Sequence, residues 1–310
     1  MRSLVTGASG HLGSYLTRLL LRRGHEVAVL VRPQSNLWRL VDLLPQVRII
    51  PGDLRDIDSA RNDLLKMAPH IVFHLAWYGI TSEARNDPNQ IYWNLLGSLR
   101  LLQIAQEAGI NCWLGLGSQA EYGPWLGRLH EDLPTKPVTI YGATKLCVSL
   151  LSQQLCDKAG TRYLWLRLLA TYGPQDDVRH LIPTVILKLL AGEKPALTPG
   201  EQKWDYLYVE DAAEAIYRLA MHPEAHGIFN LGSGEAQPVR RIVEDIRNLI
   251  DPHLPIGFGE VPYRPDQVMH LQTDIGRLHR ATGWLPEVSL REGLSKTIEW
   301  YRDHPNPFGA

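Results

Sequence analysis

Residues 2–23 read RSLVTGASGHLGSYLTRLLLRR, and this stretch decides the fold of the chain. Residues 2–6 predict a short buried strand, and residues 14–23 repeat apolar side chains at the spacing of a helix with one buried face. Between them, residues 7–13 carry three glycines in the pattern G-x-x-G-x-x-G. A glycine-rich turn between a strand and a helix predicts a binding loop for the phosphates of a dinucleotide.

Each glycine of this turn has its own physical role in that prediction. Gly7 allows a tight turn that a side chain would block, Gly10 lets the backbone approach a pyrophosphate, and Gly13 lets the helix pack close to the sheet. The amides at the helix N-terminus donate hydrogen bonds and carry a partial positive charge. We therefore expect the whole turn to contact the cofactor. The predicted contacts are the three glycines together with Ser9, His11 and Leu12. Because glycine turns without a ligand are common, the prediction needs agreement from the rest of the chain.

Strands and helices alternate through the first half of the chain. Further apolar strands are predicted at residues 27–31, 47–50, 71–76, 111–117 and 163–169. Helical patterns separate them at residues 57–67, 89–108 and 141–158. This alternation predicts an α/β protein with a Rossmann-like, doubly wound parallel sheet that is covered on both faces. Since such sheets bind ligands at the carboxyl ends of their strands, the loops after the strands are where functional residues are expected.

The composition excludes several classes of protein. The formal net charge of -1 gives no global field that would draw the chain onto nucleic acid or an anionic membrane. No apolar run approaches roughly 18 residues, and the chain begins directly with a strand, so neither a membrane span nor a signal peptide is expected. The cysteines Cys112, Cys147 and Cys156 have neither metal-ligand nor disulfide spacing. We therefore expect no metal site and a cytoplasmic location.

The residue that follows the second strand bears on the choice of cofactor. A dinucleotide fold that prefers NAD usually has a carboxylate there for the ribose 2'-hydroxyl, but this chain has Arg32. A guanidinium would pair with a 2'-phosphate, whereas a carboxylate would repel it. We therefore predict that NADP(H) is preferred, with NAD(H) as the alternative. A solvated arginine at a strand end would look the same in sequence.

The ends of the third and fourth strands supply further candidate cofactor contacts. Asp53 follows the third strand beside Leu54 and could accept a hydrogen bond from the adenine amine. A role for Asp53 in a turn or cap is the alternative. Leu75 and Ala76 end the fourth strand, where small and apolar residues would let a cofactor lie across the sheet.

A tyrosine and a lysine four residues apart open a predicted helix. Tyr141 and Lys145 share one helical face, and Ser118 lies in the loop after the fifth strand. A lysine ammonium near a phenol would lower the pKa of the tyrosine, which would make Tyr141 usable as a general acid or base. Ser118 could hold a substrate oxygen while charge develops on it. The Y-x-x-x-K spacing is weak by itself and gains weight from the nucleotide-binding turn and the serine loop before it.

Further motifs are spread over nearly the whole chain, and together they identify a family. They are Thr6-Gly7 through Gly13, Gly52-Asp53-Leu54-Arg55-Asp56, His74-Leu75-Ala76, Asn94, Ser118 with Tyr122-Gly123, Tyr141 with Lys145, Arg167 with Tyr172-Gly173-Pro174, Asp205-Tyr206 with Val209 and Asp211, Asn230-Leu231-Gly232, Arg264-Pro265, and Thr282-Gly283-Trp284 with Pro286. With these motifs the chain resembles an extended short-chain dehydrogenase/reductase of the branch that modifies nucleotide sugars. The resemblance implies an enzyme that binds a nicotinamide cofactor and a nucleotide sugar.

The resemblance also assigns roles to residues and regions. It implies that Ser118, Tyr141 and Lys145 form the catalytic triad, that Tyr141 and Lys145 also contact the cofactor, and that Leu168 lies against it. It implies a dinucleotide-binding domain over residues 1–170 and a smaller C-terminal α/β lobe for the nucleotide sugar, mainly residues 171–310. This boundary is approximate and interleaved. The helices predicted at 89–108 and from 141 onwards form a homodimer interface in the family, although their apolar faces could equally be core.

Three reactions of the family compete. Its 4,6-dehydratases carry Thr-Asp-Glu after the fifth strand, but this chain has Ser118-Gln119-Ala120, which argues against dehydration. The sequence Ser-x-x-Glu-Tyr-Gly resembles the loop of nucleotide-sugar 4-ketoreductases. With Arg32, it favours NADPH-dependent reduction of a nucleotide-linked 4-keto-6-deoxyhexose. A 4-epimerase with tightly bound NAD is the alternative, and a non-catalytic cofactor sensor on the same fold is the remote one.

The substrate residues depart from the family pattern at two positions. Ala170 replaces an asparagine that often meets the diphosphate, and Trp204 replaces an arginine that often pairs with a phosphate. Losing a charged donor of this kind weakens phosphate binding by about 1.5–3 kcal/mol unless another cation takes over. The chain offers several candidates to contact the nucleotide sugar: Trp77, Gln119, Tyr141, Arg179, Trp204 and Arg264.

Overall fold

The structure, a computed structural model, describes residues 1–264 and 267–305. Fourteen strands lie in these ranges: β1 (Arg2–Thr6), β2 (Glu26–Val31), β3 (Val47–Pro51), β4 (Ile71–His74), β5 (Cys112–Ser118), β6 (Arg128–Leu129), β7 (Arg162–Leu168), β8 (Ala170–Tyr172), β9 (Ala196–Leu197), β10 (Lys203–Tyr208), β11 (Gly227–Leu231), β12 (Ala236–Pro238), β13 (Gly257–Phe258) and β14 (His270–Thr273).

The helices follow the strands in regular alternation over the first half. The α-helices of the described ranges are α1 (His11–Arg22), α2 (Arg61–Met67), α3 (Leu96–Glu107), α4 (Ile140–Ala159), α5 (Leu181–Leu190), α6 (Val209–Met221), α7 (Val239–Ile250), α8 (Gly276–Thr282) and α9 (Leu290–Asp303). Short 3-10 turns lie at Trp38–Gln46, Ile57–Ala60, Ser82–Ala84 and Gln119–Glu121, and a π-helical turn lies at Gln90–Leu95.

The main sheet is parallel and doubly wound, as the alternation predicts. Its seven strands in the described part of the chain run in the order β11-β7-β5-β4-β1-β2-β3. The direction of the strand order reverses beside β1, so the loops after β1 and β4 diverge and leave a crevice. The register places Thr6 level with Leu30 on one side and His74 on the other, so the ends of the three central strands lie at one height. The glycine turn and Leu75-Ala76 therefore flank the crevice.

Two apolar layers cover this sheet. On one face, Leu16 and Leu20 of α1 belong to the same buried cluster as Ile216 of α6. On the other, Leu101 of α3 and Val148 of α4 belong to a second cluster. Burial on both faces explains why the strand sequences are continuously apolar rather than alternating.

A smaller lobe has its own sheet and core. Strands β12, β10, β14 and β6 pair in that order, and β8 pairs with β10. Its core includes Tyr172, Val185, Ile242 and Ile298. The two sheets exchange strands across residue 170, because β6 joins the small sheet and β11 joins the large one.

Three predicted helices differ from the observed ones. The helix predicted at 57–67 is divided into a 3-10 turn at Ile57–Ala60 and α2. The first helix begins at His11 rather than residue 14, because Gly10 in extended conformation serves as its N-cap. The helix predicted at 89–108 is divided into the π-helical turn Gln90–Leu95 and α3. The wider turn brings two buried polar side chains, Gln90 and Asn94, against the loop after β4, where Asn94 hydrogen-bonds both backbone groups of Tyr78.

Candidate functional site

The glycine turn is shaped by two close backbone approaches. Gly7 has a φ of +73°, and a Cβ there would lie 2.7 Å from the amide nitrogen of Ala76. A Cβ on Gly13 would lie 2.1 Å from the carbonyl oxygen of Gly7, so only glycine lets the first turn of α1 reach β1. The amide of Gly10 donates to that same carbonyl at 3.0 Å. The turn is therefore a backbone cradle that a side chain at Gly7 or Gly13 would push apart.

A cavity of about 330 Å³ runs from this turn along the carboxyl ends of the central strands. It brings together most of the predicted cofactor residues: Gly7, Ser9, Gly10, Arg32, Asp53, Leu54, Leu75 and Ala76. It also brings in residues that the sequence did not single out as ligand contacts: Ser35, Arg55 and Trp93. An open backbone cradle at one end and an apolar floor at Leu75 and Ala76 fit the diphosphate and the length of a dinucleotide.

The remaining predicted cofactor residues lie outside the lining of this cavity. Leu12 is buried in the core between α1 and the sheet, and Leu168 packs on the same core at the end of β7. The imidazole of His11 turns to the lobe, with Nε2 at 3.1 Å from the carbonyl oxygen of Pro174 and Nδ1 at 3.3 Å from Asp176. Burial lowers the pKa of His11 below its usual value. Tyr141 and Lys145 adjoin the cavity through Trp77, which lines it.

The end of the cavity at β2 is cationic. Arg32, Ser35 and Arg55 all line it. The carboxylate of Asp53 is occupied by Arg55, because Oδ1 accepts from the Arg55 amide at 2.9 Å and Oδ2 from its guanidinium at 2.6 Å. Partial burial opposes ionisation of Asp53, but these hydrogen bonds hold its pKa below the usual value. The charge of Asp53 is thus neutralised by Arg55, whereas Arg32 is exposed at the rim of the cavity.

The three candidate catalytic side chains lie at the end of β5 and in the first turns of α4. Ser118 is the last residue of β5, and its side chain faces Tyr141 in the first turn of α4, where its effect is to lower the pKa of the tyrosine. Gly142 makes this approach feasible, because a Cβ there would lie 2.4 Å from the carbonyl oxygen of Ala120. Thr139 caps α4 by accepting from the Gly142 amide at 3.1 Å.

Lys145 lies one helical turn further along, buried against the sheet. Its Nζ donates to the carbonyl oxygen of Leu116 at 2.5 Å and lies 3.6 Å from the centroid of the Trp77 ring. The same ammonium is 6.0 Å from the centroid of the Tyr141 ring. The indole of Trp77 is held in place by a hydrogen bond from Nε1 to the buried Gln90 at 2.8 Å. Gln90 could not be predicted from the sequence, because its role depends on the π-helical turn.

Burial is the largest influence on the pKa of both Tyr141 and Lys145. It raises the pKa of Tyr141 above its ordinary value, and the side chain of Ser118 offsets only part of that effect. Burial also lowers the pKa of Lys145 to about 7, although the carboxylate of Glu121 acts in the opposite direction. The expectation that Lys145 lowers the pKa of Tyr141 is therefore wrong for this geometry, because the ammonium is directed at Leu116 and Trp77 instead.

A second cavity, of about 320 Å³, lies in the smaller lobe. Its walls are largely apolar and include Leu181, Leu197 and Phe258, while Trp204 and Arg264 supply polar groups. Two predicted substrate residues therefore line this cavity. Pro265, which completes the quoted Arg-Pro motif, lies outside the described residues.

The other predicted substrate residues are placed differently. Arg179 is exposed and pairs with Asp177, whose Oδ1 accepts from Nε at 2.9 Å, and it lines neither of the two cavities. Gln119 is partly exposed in the 3-10 turn after Ser118. Trp204 donates from its indole to the carbonyl oxygen of Val268 at 2.9 Å.

Within residues 1–264 and 267–305, no group of three His, Cys, Asp or Glu side chains could hold a metal ion. The same ranges contain no helix with the length and apolar character needed to cross a membrane.

The doubly wound sheet, the glycine cradle and the adjoining Ser118, Tyr141 and Lys145 define an enzyme of the Rossmann-fold dehydrogenase/reductase class. A family model described as the NAD dependent epimerase/dehydratase family matches residues 3–232. The chain belongs to this family.

Relatives of known name cover nearly the whole chain. A UDP-glucose 4-epimerase of Corynebacterium glutamicum is 29% identical over 93% of this chain and 91% of its own length. A GDP-6-deoxy-D-mannose reductase of Pseudomonas aeruginosa is 28% identical over 96% and 97%. The crystal structure of Thermus thermophilus UDP-glucose 4-epimerase in complex with NAD superposes with a TM-score of 0.87 at 28% identity, over 97% of this chain and 99% of that one.

Proposed function

We propose that this protein is an NADPH-dependent reductase of a nucleotide-linked 4-keto-6-deoxyhexose that acts at C4 of the sugar. The observation that carries the proposal is the cationic end of the cofactor cavity, where Arg32 and Ser35 lie beside an aspartate that Arg55 already neutralises. A 2'-phosphate would gain charge-assisted hydrogen bonds there and would meet no free carboxylate. A reductase exchanges its cofactor in every turnover, which suits an open, weakly enclosed end.

The glycine turn would bind the cofactor, and the triad would carry out the proton transfer. Gly7, Gly10 and the first turn of α1 would hold the cofactor diphosphate through backbone amides. When bound, the nicotinamide supplies the hydride for C4 of the sugar. The hydroxyl of Tyr141 donates a proton to the sugar oxygen, Ser118 hydrogen-bonds that oxygen, and Lys145 would contact the bound cofactor. A raised pKa of Tyr141 favours the protonated donor that a reduction needs.

The nucleotide part of the substrate is assigned to the cavity of the smaller lobe. Apolar walls at Leu181, Leu197 and Phe258 would hold a base, and Arg264 is the cation available for the diphosphate. Trp204 replaces a charge with a ring, so Arg264 carries more of the phosphate affinity in this proposal. Trp77 and Gln119, next to the triad, would border the sugar. Arg179 would reach the diphosphate only by leaving Asp177.

The second candidate function is 4-epimerisation of a nucleotide sugar with tightly held NAD. Several relatives are UDP-glucose 4-epimerases, and the Thermus structure contains NAD. The same triad would then remove a proton in one half-reaction and return it in the other. The 4,6-dehydratase relative from Streptomyces niveus does not favour dehydration here, because Gln119 and Ala120 stand where an elimination needs an acidic pair.

The test is a panel of 4-keto-6-deoxy and 4-hydroxy nucleotide sugars with several bases, assayed by NADPH oxidation at 340 nm and by product chromatography. We expect NADPH oxidation with a 4-keto sugar and no interconversion of 4-hydroxy epimers. The Tyr141→Phe variant keeps the ring but has no proton to donate, so its kcat should fall by about 10²–10⁴-fold. Epimer interconversion without added cofactor would replace the reductase with the epimerase, and an unaffected Tyr141→Phe variant would remove the proton-transfer role.

We also propose that the enzyme is a cytoplasmic homodimer. Apolar side chains lie exposed on the π-helical turn and on α3 and α4: Tyr92, Leu96, Leu150 and Leu151. Covering such residues with a second copy removes apolar surface from water. Cys112, Cys147 and Cys156 are all free thiols, which suits a reducing compartment.

A further inference from the structure

The 3-10 turn after β5 contains a carboxylate without exposed surface. Glu121 is fully buried, three residues after Ser118. Its Oε1 accepts a hydrogen bond from the Ser118 amide at 2.9 Å, and the Ser118 hydroxyl in turn accepts from the Ala120 amide at 3.2 Å. These reciprocal bonds fix the backbone from which the Ser118 side chain reaches Tyr141.

The other side of the Glu121 carboxylate is satisfied by β7. Trp165 donates from Nε1 to Oε1 at 3.0 Å, and Arg167 donates from Nε to Oε2 at 2.8 Å. Gly117 leaves the space for this arrangement, since a Cβ there would lie 2.4 Å from Oε1 and 2.2 Å from the indole nitrogen. A buried ion pair costs desolvation and adds little stability when an apolar pair could replace it, so its presence beside a reactive site calls for a functional reason.

Lys145 and Glu121 each hydrogen-bond the backbone of the last three residues of β5, residues 116–118. The ammonium donates to the carbonyl of Leu116, and the carboxylate accepts from the amide of Ser118. Burial favours the neutral amine of Lys145, and the negative charge of Glu121 opposes that preference. Trp77 adds the face of an aromatic ring to the surroundings of the ammonium.

We propose that Glu121 is the positioning residue of the triad: its buried carboxylate fixes the Ser118 backbone and places a negative charge beside the strand end to which Lys145 is hydrogen-bonded. This inference rests on the proposed proton-transfer function. Glu121 touches neither substrate nor cofactor in this scheme and acts through Ser118 and Lys145.

The other titratable groups around the pair are accounted for. His74 on β4 faces Lys145, and burial lowers its pKa to about 3, so it stays neutral under ordinary conditions. Tyr163 faces Glu121, whereas Tyr122 lies against Arg167, and burial raises the pKa of each tyrosine. The pKa of Tyr141 is also raised by burial; the charge of Glu121 adds to that effect and the charge of Arg85 opposes it. Among the described residues, Arg167 is the cation that pairs directly with Glu121.

The test is the titration of Lys145 in the ligand-free enzyme, followed by the ¹³Cε NMR signal of labelled lysine and assigned with Lys145→Arg. In Glu121→Gln, the midpoint of Lys145 should fall by about 1 pH unit or more, because the ammonium loses its opposing charge. The alkaline limb of kcat/KM should move down by the same amount. This readout needs no substrate, so failure of the proposed reaction and failure of this inference remain distinguishable.

Two variants separate charge from packing. Trp165→Phe removes one hydrogen bond to Glu121 and no charge, so the Lys145 midpoint should stay at the wild-type value. If Glu121→Gln leaves Arg167 unpaired and does not fold, the double variant Glu121→Gln with Arg167→Gln removes both charges and gives the reading instead. A folded Glu121→Gln or double variant in which Lys145 titrates at or above the wild-type pH would overturn the proposal.

Discussion

Because Lys145 is buried, its positive charge lowers the free energy of unfolding. Its pKa of about 7 lies well below the ordinary value of a lysine because burial disfavours the ammonium. The unfolded chain, where lysine keeps its ordinary pKa, therefore binds more protons than the folded chain between about pH 7 and pH 10. In this window the free energy of unfolding rises with pH, and the full penalty is present below about pH 7. A residue so placed is retained for its charge rather than for stability.

The first prediction concerns Lys145→Met. The difference in unfolding free energy, variant minus wild type, should be a few kcal/mol more positive at pH 6 than at pH 10, since one pKa unit corresponds to about 1.4 kcal/mol. Urea unfolding at pH 6, 8 and 10 gives this difference directly. Lys158→Met, an exposed lysine on the same helix, is the matched control for the loss of one lysine. A difference for Lys145→Met that does not vary with pH would contradict the burial argument.

Helical spacing placed Tyr141 and Lys145 on one face because that is a short-range property, whereas the resemblance to the family was needed to join Ser118 to them as a triad. The hydrogen-bond partner of Lys145 was not predictable, since Leu116 and Trp77 reach it from β5 and the loop after β4. Their position depends on how two strands and a helix pack. The catalytic and binding roles of these residues stay predictions that the variants above test.

At the scale of elements, the turn between β1 and α1 is held by backbone rather than by side chains. Gly7 combines a left-handed φ with a neighbour at 2.7 Å, whereas Gly24 has a similar φ of +76° and no atom within 4 Å of its would-be Cβ. The two glycines thus differ in crowding but not in backbone conformation. This pair separates the conformational cost of a side chain from its effect on the cradle.

The second prediction compares Gly7→Ala with Gly24→Ala. Both should lose about 1 kcal/mol of stability from the left-handed backbone. Gly7→Ala should in addition displace the turn from Ala76 and weaken cofactor binding by 10-fold or more, measured by quenching of protein fluorescence during NADPH titration. Equal cofactor affinities in the two variants would show that the turn does not form the cradle.

Six strands of the main sheet were predicted, because most of them are buried on both faces and are therefore continuously apolar, whereas the edge strand β11 was not predicted. The two-residue strands β6 and β13 have no such signature and exist only through their partners. The π-helical turn was also missed, because it differs from an α-helix by one added residue per turn while Gln90 and Asn94 face inward. The division into 1–170 and 171–310 stays a prediction, with β6 and β11 crossing it.

At the scale of the whole molecule, the exposed apolar residues are concentrated in part on one pair of helices. Tyr92, Leu96 and Leu150 are each at least half exposed, at 63%, 56% and 50%. The near-zero net charge gives little repulsion between copies. The apolar helical faces could be seen in the sequence, but exposure could not be told from burial without the packing of α3 against α4.

The third prediction is that Leu96→Glu with Leu150→Glu converts a dimer to a monomer, because two buried charges per copy would face a second apolar surface. Size-exclusion chromatography with light scattering measures the mass. Leu126→Glu, at a leucine that is 92% exposed and lies outside both helices, is the control and should leave the mass unchanged. A wild-type protein that is monomeric at micromolar concentration would contradict the dimer.

The proposed function depends mainly on whether the enzyme uses NADPH or NAD. The most direct measurement is to denature the purified protein, identify any released nucleotide by chromatography, and then titrate cofactor-free wild type and Arg32→Asp with NADPH and NADH. We expect little released NAD, NADPH affinity at least 10-fold above NADH affinity in wild type, and loss of that preference in Arg32→Asp, because a carboxylate repels the 2'-phosphate. Stoichiometric NAD released from the wild type, or an equal effect of Arg32→Asp on both cofactors, would contradict the proposed reductase and leave the 4-epimerase as the function.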